Sequence, residues 1–256
     1  MIKLDNVSKV FKLSRRQRKE MGSNVNNRIL KAVDNVSFEC KPGRVFSLVG
    51  PNGAGKTTIL RMIATMLKPT SGEISVNGYN TITLPKKVRE SLGFMSDNTA
   101  LYDRLTVDEI IKYYADLNDI AYHDFKARKN ELYDLLDMHE FASRRIAKLS
   151  SGMKQKVSIV RTMIHNPPVV VFDEPTSGLD VMTSRAIIRL IRNCRDEGKT
   201  VIFSTHRMGE VQSLSDDLAI IHKSKLYFNG TLKEFEAQME SDYFEDEFIK
   251  LTGEAS

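Results

Sequence analysis

Gly50-Pro51-Asn52-Gly53-Ala54-Gly55-Lys56-Thr57 decides how the rest of this chain is read. The run fits the phosphate-binding P-loop pattern G-x-x-x-x-G-K-[ST]. Its surroundings give the pattern physical meaning. The apolar stretch Val45-Phe46-Ser47-Leu48-Val49 runs into it as a strand, and Thr58-Ile59-Leu60-Arg61-Met62-Ile63 runs out of it with helical character. Glycines let successive backbone N–H groups turn toward phosphate oxygens, and the start of the following helix adds the positive end of its dipole. In such a loop Lys56 reaches the β- and γ-phosphates and the Thr57 hydroxyl ligates Mg²⁺. The stretch therefore predicts a nucleotide site on a strand–loop–helix unit.

Outward from this loop, the pattern alternates. Toward the N-terminus, Ile2 to Phe11 reads as a strand, and Val36-Ser37-Phe38-Glu39-Cys40 as another. Between them the polar, basic stretch Ser14 to Arg28, with Arg15, Arg16, Arg18 and Lys19, has almost no apolar periodicity and reads as a surface loop. Beyond the loop, Glu73-Ile74-Ser75-Val76 is strand-like. From about Asn98 to Ile164 the apolar spacing turns helical, with Ile110, Ile111, Tyr114 and Leu117 and then Leu132, Leu135 and Leu136. Strands return at Val169-Val170-Val171-Phe172, Val201-Ile202-Phe203-Ser204 and Leu218-Ala219-Ile220-Ile221. A helix with Ala186, Ile187, Leu190, Ile191 and Cys194 on one face separates the first two. Alternating buried strands and helices predict an α/β fold on a parallel sheet. Lys225 to Gly230 is expected as a closing hairpin arm, followed by a helical tail that is acidic toward its end.

Val169 to Phe172 end in Asp173-Glu174, the Walker B arrangement. A strand end beside the P-loop brings Asp173 to Mg²⁺ and places Glu174 to orient or deprotonate an attacking water. Leu149-Ser150-Ser151-Gly152-Met153-Lys154-Gln155-Lys156 precedes a helix with Val157, Val160 and Ile164 on its apolar face. By itself this reads as a capped helix start with free backbone donors. Thr176-Ser177-Gly178-Leu179-Asp180 follows Walker B, and Ser204-Thr205-His206 ends the next strand. Taken together, in this order and spacing, the set resembles the ATP-binding-cassette (ABC) ATPases from the first strand to about Gly230.

The resemblance implies a P-loop NTPase (RecA-like) core with an N-terminal antiparallel β subdomain and an inserted helical subdomain at about 98–164. The cassette would occupy residues 1–230 and a helical tail 231–256. Phe11 matches the aromatic that stacks on adenine, and Gly50, Pro51, Asn52, Gly53, Ala54, Gly55, Lys56, Thr57 and Thr58 match the phosphate loop. Ser150, Ser151 and Gly152 match the signature that binds the γ-phosphate held by the opposite subunit. Asp180 matches the carboxylate at the dimer seam, Glu174 the catalytic carboxylate, and His206 the switch histidine on the γ-phosphate, where an imidazole can donate to a phosphate oxygen. The metal set would be Thr57, Asp173 and Asp97. Asp97 stands where the family normally has a glutamine; it keeps a hard oxygen ligand but adds negative charge beside the triphosphate. Ser151 and Met153 also depart from the commoner Gly and Gln. The form Leu-Ser-x-Gly-Met-Lys-Gln-Lys, together with Leu101-Tyr102-Asp103-Arg104-Leu105-Thr106, is similar to the ABC-2 exporter branch, sodium-exporter-like ATPases included.

Composition sets the outer limits. The chain has 256 residues, 41% hydrophobic and 28% charged, with a formal net charge of +5, which suits a globular protein and does not call for nucleic acid. Cys40 and Cys194 have no metal-ligand spacing and are expected as reduced thiols, Cys194 buried. Met1 to Asp5 lacks the apolar core of a secretory leader, and no stretch reaches the roughly 18 apolar residues of a bilayer span. The partners that the resemblance implies are a polytopic membrane permease and a second ATPase subunit, with a homodimer favoured and no specific nucleic acid. The expected place is the cytoplasmic face of the membrane, held through the permease. The competing reading is a soluble cassette ATPase acting on nucleic acid or ribosomes, supported only by the basic loop. A GTPase is disfavoured, since no Asn-Lys-x-Asp run is present.

Overall fold

In the computed structural model, residues 1–14, 29–96 and 101–253 are described. Most of the basic loop and Asp97 lie outside these residues. Two sheets carry the fold. The N-terminal sheet is antiparallel, in the order β2-β1-β4-β5, with β1 Ile2–Lys12, β2 Ile29–Cys40, β4 Ser71–Val76 and β5 Tyr79–Asn80. Ile2 pairs with both Cys40 and Val76, and Leu4 with both Phe38 and Ile74, so the apolar alternation of β1 falls on one buried face.

The second sheet has the order β10-β9-β3-β8-β7-β6. Its strands are β3 Arg44–Val49, β6 Leu92–Met95, β7 Val169–Asp173, β8 Thr200–Thr205, β9 Asp217–His222 and β10 Lys225–Thr231. All neighbours are parallel except β10, which runs antiparallel to β9 as the closing arm. The parallel strands are apolar throughout because both faces are covered. In β7, Val170 and Phe172 face one core and Val169 and Val171 another. The first core holds the helical segment, and the second fills the space between the two sheets around the helix α1, Lys56–Ile63. Phe38 of the antiparallel sheet stacks on Phe46 of the parallel one, with ring centroids 4.9 Å apart.

After the short α2, Pro85–Glu90, the helical segment contains α3 Val107–Leu117, α4 Tyr122–Leu136 and α5 Ser151–Met163. Thr106 and Glu109 form a reciprocal capping box at the start of α3, which satisfies two otherwise orphaned donors. The helix between β7 and β8 is α6, Val181–Asp196, with Ile187, Leu190, Ile191 and Cys194 buried. α7 Met208–Leu214, α8 Leu232–Glu236 and α9 Phe244–Thr252 are the remaining helices of the described residues. The tail is packed down: Phe235, Phe244 and Phe248 share a third core with Val49, Leu218 and Ile220. Both cysteines are free and buried, and burial pushes the Cys194 thiol up to about 12, which leaves it unreactive.

Candidate functional site

β3, β8 and β7 are adjacent and parallel, so their carboxyl ends open on one edge of the sheet, where ligands bind in open α/β folds. β3 delivers the phosphate loop, β7 delivers Asp173 and Glu174, and β8 delivers Thr205 and His206. Two glycines of the loop are required by contact. A Cβ on Gly50 would collide with the carbonyl oxygen of Ile221 at the end of β9. One on Gly55, which also has φ +113°, would collide with the carbonyl oxygen of Ala32 on β2.

Lys56, the first residue of α1, is buried, and its Nζ donates to Gly50 O at 2.6 Å and Pro51 O at 3.1 Å. Burial lowers its pKa, while Glu174 and Asp173 push the other way. The carboxylate of Glu174 stands between the Lys56 ammonium and the His206 ring, with Oε1 3.6 Å from Lys56 Nζ and Oε2 3.2 Å from His206 Nδ1. Glu174 itself has φ +48°, a backbone that L-residues avoid and that recurs where geometry serves function. Its N–H donates to Ser204 Oγ at 3.0 Å, and that hydroxyl donates in turn to Asp173 Oδ1 at 2.6 Å. Thr57 Oγ1 donates to the same Asp173 oxygen at 3.1 Å. One hydroxyl and one carboxylate form a hard-oxygen donor pair that fits Mg²⁺ held mainly by phosphate oxygens and water.

The cleft at this edge encloses about 230 Å³ and is lined by Asn52, Gly53, Gly55, Lys56, Thr57, Thr58 and Glu174 on one side and Phe11, Leu30 and Ala32 on the other. Phe11 and Leu30 are cross-strand partners in the antiparallel sheet, so one wall of the cleft comes from that sheet and the other from the loop and helix that follow β3 of the parallel sheet. Pro51 and Ala54 support the loop through their backbones.

Ser150, Ser151, Gly152 and Asp180 lie elsewhere. Ser150 caps α5, its Oγ accepting from Met153 N at 3.3 Å. Asp180 caps α6, accepting from Thr183 N at 2.9 Å and Thr183 Oγ1 at 2.8 Å, and these bonds hold its carboxyl below the usual range. A Cβ on Gly152 would touch Asp180 and Thr183, so the two helix starts form one patch. None of these four residues lines the phosphate cleft.

Two links joining these parts were not expected from the sequence. Gln155 Nε2 donates to Pro175 O at 3.2 Å, tying the signature helix to the Walker B loop. Glu210, buried in the first turn of α7, accepts from Thr176 Oγ1 at 2.5 Å and Thr205 Oγ1 at 2.8 Å. It thereby joins the segments leading to Asp180 and His206.

Residues 33–177 match the family described as "ABC transporter". The chain is 40% identical over 220 residues to ABC transporter ATP-binding protein NatA of Bacillus subtilis, covering 86% of this chain and 88% of that one. It is 33% identical to the linearmycin resistance ATP-binding protein LnrL of the same organism (78% and 64% covered). It is 32% identical to the probable multidrug ABC transporter ATP-binding protein YbhF of Escherichia coli, spanning 86% of this chain but 39% of that protein. A solved ATP-binding subunit of an ABC transporter superposes with a TM-score of 0.85 at 25% identity, covering 98% and 99% of the two chains. A dimeric cassette in a post-hydrolysis state, bound to ADP and Pi, superposes at 0.79 and 27% identity, covering 91% and 99%.

Proposed function

This chain belongs to the ABC transporter family as an ATP-binding subunit, and on that premise we propose how its residues divide the work of the ATPase cycle. Subunits of this kind bind and hydrolyse ATP, dimerise and act with membrane permease subunits. Among the described residues no helix is long and apolar enough to cross a membrane. The observation that carries the assignment is the convergence of Lys56, Thr57, Asp173, Glu174 and His206 on one cleft.

ATP enters with its base toward Phe11 and its phosphates in the 50–58 loop. Lys56 exchanges its carbonyl contacts for the β- and γ-oxygens, replacing part of the solvation it lost on burial. Thr57 and Asp173 would hold Mg²⁺, which would supply charge neutralisation on those oxygens; Asp97 is proposed as a further ligand. Glu174 orients the attacking water and accepts its proton as the water oxygen bonds to the γ-phosphorus and the bridging oxygen departs with ADP. His206, held against Glu174, donates to a γ-phosphate oxygen and reports its loss. Ser150, Ser151, Gly152 and Asp180 complete the site of a neighbouring subunit. A second copy of this chain is the favoured neighbour, because both halves are present in one sequence.

The names of two relatives speak of linearmycin resistance and of probable multidrug transport, which supports an exporter. The subunit would then sit at the cytoplasmic face of the membrane, held by its permease, with no specific nucleic acid. The test is Glu174→Gln. ATP binding is retained while turnover falls by roughly 10²- to 10⁴-fold, the usual weight of a general base; unchanged turnover would take Glu174 out of the reaction.

A further inference from the structure

Behind the cleft, β9 and β10 are joined by the two-residue turn Lys223-Ser224. Both residues have positive φ, +44° and +70°, the backbone such a turn requires and that Asn-Gly or a similar pair normally supplies. A turn that only reversed the chain would be better served by glycine at its second position. Here that position carries a hydroxyl, and all three polar groups of Ser224 reach other elements. Its N–H donates to Ala54 O at 3.2 Å, its Oγ donates to Lys31 O at 2.7 Å, and its carbonyl accepts from Asp34 N at 2.7 Å.

The gripped residues sit directly behind the two walls of the cleft. Ala54 lies between Gly53 and Gly55, and Lys31 lies between Leu30 and Ala32. All four flanking residues line the cleft, two on the phosphate side and two on the base side. The walls come from different sheets, so no ladder of backbone hydrogen bonds sets their separation. Contact of Gly55 with Ala32 O limits how close they can come, but contact alone does not hold them together.

We propose that Ser224 is a positioning residue for nucleotide binding, tying β2 to the phosphate loop from outside the cleft and so presetting the distance between the base wall and the phosphate cradle. The inference rests on the nucleotide reading above. A ligand that touches both walls gains from their preset spacing, since the ordering is complete before it arrives. A ligand that touches only the phosphate loop does not.

That difference is the test. Wild type, Ser224→Gly and Ser224→Ala are titrated calorimetrically with ATP and, separately, with inorganic tripolyphosphate, and their melting temperatures are recorded. Glycine suits the positive φ, so Ser224→Gly melts at or above the wild-type temperature. Its ATP affinity nevertheless falls about fivefold, the weight of one ordinary hydrogen bond, while tripolyphosphate binds as it does to wild type. Ser224→Ala shows the same split with a lower melting temperature. Unchanged ATP affinity in Ser224→Gly would overturn the proposal. Equal losses for ATP and tripolyphosphate would also overturn it, since the phosphate loop itself would then have shifted. A wild type that binds neither ligand would instead remove the nucleotide reading beneath it.

Discussion

The phosphate cleft is made of strand ends and a helix start and the signature patch of two helix starts, yet only the cleft is cross-linked within the chain. In the cleft, Lys56 and Asp173 are buried, Thr57 and Ser204 both donate to Asp173, and Glu174 is held between Lys56 and His206. In the patch, Ser150, Ser151 and Asp180 are exposed, and their hydrogen bonds are local helix caps. Val181 and Met182 lie beside them as an exposed apolar pair, at 67% and 73% exposure. The first region is organised before any ligand arrives. The second consists of two capped helix starts, the end of a helix that favours negative charge.

This contrast can be broken most forcefully in the cleft. Lys56→Ala is expected to weaken ATP binding by roughly ten- to a hundredfold, the range of a charge-assisted hydrogen bond, as measured by calorimetry. A change of that size from an exposed patch residue on the isolated subunit would contradict the division.

Acidity sharpens it further. Burial holds Lys56 below the ordinary lysine value of 10.5. Phosphate oxygens favour the ammonium form and raise its pKa, so binding takes up a proton at pH values between the free and bound pKa. ATP affinity is therefore full below the lowered pKa of the free protein and weakens as pH rises through it. The sign for folding is opposite. The unfolded chain holds more protons in that window, so this lysine makes the free protein more stable as pH rises toward 10.5. Titrations at alkaline pH should show the affinity loss in wild type and a flat profile in Lys56→Ala.

The smallest effect belongs to the patch. Ser150→Ala removes the cap of α5 and is expected to cost about 1 kcal/mol of stability, read from denaturant unfolding. ATP binding to the isolated subunit should not change.

The same division explains what was legible in the sequence. The cleft's charged and hydroxyl residues stand in fixed order around a strand–loop–helix unit, so Lys56, Thr57, Asp173, Glu174 and His206 could all be located and are found together. The parallel strands were legible because they are apolar on both faces. β6 was not recognised as a strand, since four residues with a central glycine carry too little periodicity. Leu30 and Ala32 line the cleft with no chemistry of their own to mark them. Nothing in the sequence marks Glu210, and its burial between two threonines arises only when β7 and β8 lie side by side. Nothing in the sequence marks Ser224, and its contacts with Lys31 and Ala54 arise only when the two sheets approach each other.

If the signature patch completes a neighbour's phosphate cleft, as proposed, the mass of the particle in solution with and without ATP reads it most directly. Glu174→Gln should be monomeric without nucleotide and dimeric with ATP and Mg²⁺ by light scattering. The double variant Glu174→Gln/Gly152→Asp should bind ATP with the same affinity and remain monomeric. A double variant that dimerises as readily as Glu174→Gln alone would contradict the account, because the patch would then have no part in holding the second subunit.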